Sequence, residues 1–589
     1  MRRTSLWLSL AAGLFLALLT AWQLRALAQP AGVVEGTVVD ADGPVAGAVV
    51  RQQTTPNSTH SATDGSFHLA GLPEGITVTV TAWAEGYWPS GVALVPSQSG
   101  VTLTLLHHPA GDNVDYPWLT SMPEPDKPIG CGHCMVAYPQ WVDNAHAGSA
   151  TNLRFLSLYN GTDVSGTLHL GGGYKDDFPG TAGNCATCHA PGEAAHQPFT
   201  ADMNALTDVE AEGVFCDFCH KVSDIYLNPA TGLPYPNMPG VQSMQLNRPP
   251  TDTHMFYGPF DDVTRRVSYL ELEKESEFCA PCHQFSFWGT PIYESFDEWL
   301  QSPYPDQGIE CQTCHMAPTG VDYFVFPEKG GLIRDPDTIA SHLQPGASDV
   351  ELLQNTVSMT LSVEQVAGHV RATVVITNSG AGHHVPTDFP GRHLILTVSA
   401  TDGQGRPLPF LSGPTVPDWG GAPAGAPGKA FAKVLQDAVT GESPVVSYWK
   451  QAFIVSDNRI PALGSATSVY TFTAPSLLQR RHFDGAPSLP QRRHSDGAPS
   501  HLVRSEARTS ASARSAGVPL QRRHSDGAPV EGGQATVSAE LRFRRVFQAV
   551  ADTRGWDKPD IVMAKAQATL ATHPQRNVYL PFVLRTPLF

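Results

Sequence analysis

Two β-sandwiches flanking a central region of short helices and coil, packed around something other than its own side chains, is the architecture the sequence predicts. Three observations predict it. Alternating apolar residues broken by Gly, Pro and Asp turns occur toward both ends of the chain and fade in the middle. All ten cysteines lie in that middle, as five C-x-x-C pairs with none left over. A chain of 589 residues is too long for a single hydrophobic core. Composition agrees: 53 Gly and 50 Pro favour β-structure and coil over a helical bundle. The net charge of −17 argues against nucleic-acid binding, which needs a basic face.

The N-terminus has the parts of a secretory signal over residues 1–28. Arg2 and Arg3 precede an apolar run over residues 6–22, and Ala26-Leu27-Ala28 forms a small-residue cleavage site. The run falls short of the roughly 20 residues that a spanning helix needs, so the expectation is an exported protein, periplasmic or at the cell surface. It is membrane-anchored only if this segment stays uncleaved. Outside the cytoplasm thiols do not stay free unless something holds them.

Residues 33–106 read as a small β-sandwich. The run Val34-Glu35-Gly36-Thr37-Val38-Val39 leads to an Asp42-Gly43-Pro44 turn, and Ile76-Thr77-Val78-Thr79-Val80 alternates strictly. In order and length these residues resemble the carboxypeptidase regulatory-like (transthyretin-like) domain. That resemblance implies a non-catalytic spacer or adhesion module. A second sandwich is expected over 351–475, from alternation at Val357, Met359, Leu361 and Val363 and again at Val370, Ala372 and Val374. Within 476–530 a nine-residue unit recurs at 479–487, 491–499 and 521–529. With nine Arg against four acids and no core-forming pattern, this stretch reads as a disordered insertion. Over 531–589 the domain returns, with a strand near 539–547, a short helix near 560–566 and a tail.

The central region, 111–346, carries the chemistry. Four pairs are followed at once by histidine: Cys185-Ala-Thr-Cys188-His189, Cys216-Asp-Phe-Cys219-His220, Cys279-Ala-Pro-Cys282-His283 and Cys311-Gln-Thr-Cys314-His315. Chance would supply about 0.006 such motifs at this composition. This is the signature of covalent c-type haem attachment, in which two thiols bind one edge of the porphyrin and the following imidazole reaches the iron. Structural zinc would use two pairs per site and leave one pair orphaned. Redox disulfides would accompany a βαβ pattern that is missing.

The fifth pair, Cys131-Gly-His133-Cys134, is followed by Met135. Three readings compete for it: a haem with Met135 or a distant histidine on the iron, a disulfide, or a metal held by His133 and the thiols. The missing histidine tilts the choice toward the disulfide. The cofactor expectation is therefore four haems c, and five if the Cys131 pair is loaded.

Several stretches resemble the multihaem cytochromes c, the group around the tetrahaem cytochromes and hydroxylamine-oxidoreductase-like proteins. They include Trp141 with His146, the run around Cys216-Asp-Phe-Cys219-His220-Lys221, and His254-Met-Phe-Tyr-Gly258. The others are Cys311-Gln-Thr-Cys314-His315-Met316 followed by Ser341-His342, and Gly382-His383-His384-Val385-Pro386. The resemblance implies haems edge to edge and a second histidine on most irons. His146 and His342 are the first candidates for that role. One of His383 and His384 comes next, then His254, His196 and His169.

The function expected is electron relay by an exported multihaem cytochrome, more an electron-transfer protein than a substrate-converting enzyme. An acidic chain would meet redox partners with basic surfaces. Two rivals are an oxidoreductase acting on a small nitrogen or sulfur compound at one open haem, and a surface binding protein with haems. The lysine-ligated C-x-x-C-K site of pentahaem nitrite reductases is absent from the sequence. Four complete motifs predict that intact mass of the exported protein exceeds the mature chain by about 2,460 Da, four haems' worth, and a smaller excess contradicts the motif reading.

Overall fold

The computed structural model describes residues 31–122, 131–475, 533–557 and 560–572. The expected signal segment, the repeat insertion and the tail lie outside the described residues. Among the described residues no helix is long and apolar enough to cross a membrane.

The N-terminal domain is β-rich, as the alternation predicts. Its main strands are β1 (Ala31–Val39), β2 (Val49–Gln52), β3 (Ser58–His60), β4 (Ser66–Pro73), β5 (Val78–Trp83), β6 (Tyr87–Trp88), β7 (Ser90–Leu94) and β8 (Gln98–Thr104). One sheet has the order β4-β1-β8, the other β3-β2-β5-β7. Alternate residues of each strand point to opposite faces, so Val34, Val38, Val50, Leu69, Val80 and Leu103 meet between the sheets and are buried.

The central region has little regular structure. Three two-stranded ribbons pair Val222–Ile225 with Met244–Leu246, Phe256–Gly258 with Val267–Tyr269, and Phe285–Phe287 with Thr290–Tyr293. Each C-x-x-C-H motif forms a single helical turn: Ala186–His189, Cys216–Cys219, Ala280–His283 and Cys311–His315. Such a turn brings residues i, i+3 and i+4 to one face, which puts both thiols and the imidazole on the same side. Beside these turns Trp141, Tyr159, Phe215, Phe218 and Met203 form an ordinary side-chain core.

The C-terminal part is sheet-rich. It opens on a helix, Val350–Thr356, whose N-cap Asp349 accepts from Leu352 N at 2.7 Å. The alternation predicted from residue 351 therefore begins only at β9 (Val357–Val366). It continues through β10 (His369–Asn378), β11 (His393–Asp402), β12 (Phe410–Ser412), β13 (Gly428–Asp437), β14 (Ala452–Asp457), β15 (Ser465–Thr473), β16 (Gln534–Arg544) and β17 (Ile561–Ala571). The two sheets have the orders β9-β10-β15-β12 and β14-β13-β11-β16-β17. Val370, Ala372, Val374, Leu394, Leu396, Phe431, Tyr470 and Val537 fill the core between them. The helix expected near 560–566 is instead part of β17, which pairs antiparallel with β16 along its length. Helix-favouring Ala and Lys residues yield there to a ready sheet edge, and Met563 turns into the core.

Both β-domains dock on the central region. Arg51 pairs with Asp261 at 2.7 Å, Gln53 Nε2 donates to Asp262 O at 2.8 Å, and Trp83 meets Tyr269 edge-on at 4.9 Å. The N-terminal domain thus packs directly against the central region. On the other side, buried Lys433 donates to Ile292 O at 2.7 Å and pairs with Glu294 at 2.6 Å. Arg459, 8% exposed, pairs with Glu298 at 2.5 Å, Asp457 at 2.7 Å and Glu294 at 3.2 Å. Removing one member of a buried ion network leaves its partners uncompensated. Arg459→Met should therefore destabilise the protein by about 3–5 kcal/mol, read as a lower urea midpoint, and an unchanged midpoint would contradict this account of the junction.

Candidate cofactor site

One cavity of about 1,990 Å³ runs through the central region and reaches the C-terminal sandwich. That is about twice the upper end of a single small-molecule site, roughly 1,000 Å³. All ten cysteines line it, with His146, His189, His220, His254, His283, His315, His342, His383 and His384.

The motif histidines share one arrangement. Each Nδ1 is engaged by an oxygen acceptor: His189 by Ser149 O at 3.0 Å, His220 by Tyr257 O at 2.8 Å, His315 by Pro345 O at 2.7 Å, and His283 by the Asp388 carboxylate at 3.3 Å. His220 also meets Glu273 Oε1 at 3.2 Å. A ring whose Nδ1–H is donated has its Nε2 lone pair left for a metal. Asp388 accepts in addition from Ser295 Oγ at 2.9 Å. Burial pushes its carboxyl up, but His283 and Arg392 outweigh this and hold it ionised well below the usual carboxylate range.

Three of the four motif histidines face a second histidine. Ring centroids lie 6.4 Å apart for His283 and His146, 6.5 Å for His220 and His342, and 6.5 Å for His315 and His383. Burial lowers His146 to about 4, and His342 likewise to about 4, so both are neutral with a lone pair available near pH 7. The remaining motif histidine, His189, is stacked by Phe155 at 3.9 Å and 9°.

Local geometry places these rings. Gly213 has φ +73°, and a Cβ there would stand 2.5 Å from His146 O, so glycine lets Val214 N donate to that carbonyl at 3.0 Å. Gly240 has φ +57°, and a Cβ would meet Thr187 O at 2.1 Å and Cys188 Sγ at 2.9 Å. Asn144 Nδ2 donates to His342 O at 2.8 Å and to Gln344 Oε1 at 2.9 Å, while His146 Nδ1 meets the same Gln344 oxygen at 2.6 Å.

Of the other candidates, His384 is turned to Glu298 at 3.4 Å, so the member of the doublet that faces a motif histidine is His383. His254 lines the cavity without such a facing ring among the described residues. His196 lies off the cavity lining, and Arg248, itself paired with Asp112 at 2.7 Å, contacts its Nε2 at 3.4 Å. His169 is exposed and paired with Asp176 at 3.2 Å. Among the described residues no disulfide joins Cys131 to Cys134 or any other two cysteines. Thiols of different motifs shift one another's ionisation, Cys131 with Cys216, Cys282 with Cys188 and Cys279 with Cys311. The first of these lowers Cys216 to about 7. Gln344, Asn144, Ser149, Pro345 and Asp388 went unsignalled by any motif, since each acts through one oxygen or amide on a residue distant in sequence.

Residues 33–106 match the family model of the carboxypeptidase regulatory-like domain. Among solved structures, the chain is similar to a penta-heme cytochrome c552 from Thermochromatium tepidum, with 17% identity over 75% of this chain and 97% of that one and a TM-score of 0.47. A second similarity is to a chain of a type II cohesin–X-dockerin complex from Acetivibrio cellulolyticus, with 21% identity over 12% of this chain and 51% of that one and a TM-score of 0.11. No curated protein matches.

Proposed function

We propose that the chain is an exported multihaem c-type cytochrome that relays electrons through four covalently held haems, or five if Cys131 and Cys134 are loaded. The observation that supports it best is the spacing of the three histidine pairs. Two imidazoles on opposite sides of one metal, each with a metal–nitrogen bond of about 2.0–2.1 Å and about 1.1 Å from nitrogen to ring centre, stand about 6.3 Å apart. The three pairs stand at 6.4–6.5 Å.

Haem bound at these motifs supplies a one-electron Fe(III)/Fe(II) couple. The chain's own residues would hold and tune it. Cys185 and Cys188, Cys216 and Cys219, Cys279 and Cys282, and Cys311 and Cys314 would form the thioether links. His146, His342 and His383 would close the second axial position on three of the four irons, which suits relay rather than substrate binding. Redox partners with basic surfaces fit the acidic chain.

His383→Ala should turn one low-spin haem high-spin and let it bind carbon monoxide, whereas His384→Ala should leave every haem as it was. The reverse result in visible and electron paramagnetic resonance spectra would reject this ligand assignment. Asp388 holds a negative charge beside the His283 ring, which would favour the ferric state of a haem bound there. Asp388→Asn should raise one midpoint potential by about 60 mV, a tenfold change in a one-electron equilibrium, and potentiometric titration showing no rise would contradict that role.

A further inference from the structure

We propose that Arg545, which follows strand β16 of the C-terminal sandwich, binds a propionate carboxylate of the haem held by Cys185, Cys188 and His189, so that the sandwich completes that cofactor's site. This rests on the multihaem reading and assigns one residue within it. Three arginines stand at the end of β16. Arg542 pairs with Glu540, and Arg544 pairs with Asp560 at 2.7 Å. Arg545 has no ion pair or hydrogen bond among the described residues, and its Nε is buried without a partner. It lines the cavity that all ten cysteines line.

The neighbouring cations do not share this lack. Arg154 has the charge of Asp557 nearby, and Arg392 has that of Asp388. Burial, then Arg154 and Arg392, hold Arg545 down to about 10, so it still carries its charge near pH 7. A guanidinium kept partly from water with no counter-charge is destabilising, and a buried donor without an acceptor marks a missing partner.

The backbone puts this cation beside the His189 motif. Val546, the next residue, packs in one cluster with Leu158 of the helix Leu153–Asn160. Buried Arg554 donates to Ser157 O at 2.9 Å and to Thr162 O at 2.8 Å, and Trp556 Nε1 donates to Ser157 Oγ at 3.0 Å. Residues 545–556 are thus clamped on the helix whose Phe155 ring stacks on His189. The class of partner follows from the donor. A guanidinium offers a planar fork of N–H groups that matches a carboxylate, and a haem brings propionate carboxylates of its own into the cavity. Free phosphate fits the same fork, and the test separates the two.

The test is a potentiometric titration of the full-length, haem-loaded protein, with haem number checked by intact mass. A fixed cation beside a haem favours the ferrous state, so Arg545→Gln should lower one midpoint potential by about 60 mV, a tenfold change in a one-electron equilibrium, with the haem count unaltered. Arg545→Lys, which keeps the charge, should recover about half of that fall or more. In the Cys185→Ala/Cys188→Ala background, which lacks the haem in question, Arg545→Gln should move no potential. Exchanging chloride for phosphate at constant ionic strength should leave the wild-type potentials in place. A loaded Arg545→Gln protein with no lowered potential, a fall that Arg545→Lys does not reduce, or a fall that persists without the Cys185 haem would overturn the proposal. So would a potential that follows added phosphate, which would assign Arg545 to a free anion. Should a variant fail to fold, an experimental structure of the loaded wild-type protein decides instead. A propionate oxygen of that haem is expected within about 3.2 Å of the Arg545 guanidinium, and any other partner there would overturn the assignment. A wild-type mass without haems would refute the multihaem reading itself.

Discussion

Residues 341–345 hold two imidazoles of the site and supply a third, and the arrangement of the site depends on that short stretch. His342 supplies the ring opposite His220, Gln344 accepts at His146 Nδ1, and Pro345 O accepts at His315 Nδ1. The stretch is itself anchored by Ser341 N donating to Met316 O at 2.9 Å and by His342 N donating to Gln140 Oε1 at 2.7 Å. A buried imidazole left without a partner costs about 1–3 kcal/mol and is free to rotate. One stretch that satisfies two rings and supplies a third therefore sets which way the lone pairs of His146 and His315 point.

The C-terminal sandwich does comparable work on the other wall. The turn bearing His383 hangs between β10 and β11, where Asn378 Nδ2 donates to His383 O at 2.8 Å and Val385 exchanges backbone hydrogen bonds with Ile460. Glu298, from the central region, accepts from His384 N at 3.1 Å and is neutralised by Arg459. Asp388, four residues past His384, reaches back to His283. The buried ion network is thus both the joint between domains and the mount for a ligand turn. Lys433 and Arg459 pair across the boundary with Glu294 and Glu298, so separating the domains would strip these buried charges of those partners.

Much of the site was legible in the sequence because its chemistry is local. A thiol pair and an imidazole within five residues need only one helical turn. The choice between His383 and His384 was not legible, because it turns on which ring Glu298 takes. Nor was the contact of His196 with Arg248 legible, because it joins residues 52 apart in sequence. The acceptors escaped notice for the same reason: Gln344 meets His146 across 198 residues and Asp388 meets His283 across 105, and neither residue type signals a partner. In the fold, strict alternation identified both sandwiches. It failed at residues 561–571, where an Ala-rich run took its conformation from the neighbouring strand rather than from its own propensity.

The most direct test of the ligand scheme is an experimental structure of the exported protein with its cofactors in place. The account predicts one iron between Nε2 of His146 and His283, one between His220 and His342, and one between His315 and His383, with His189 alone among the protein imidazoles on the fourth. An iron with any other pair of side chains on its axis, or these imidazoles turned away from the metals, would contradict it.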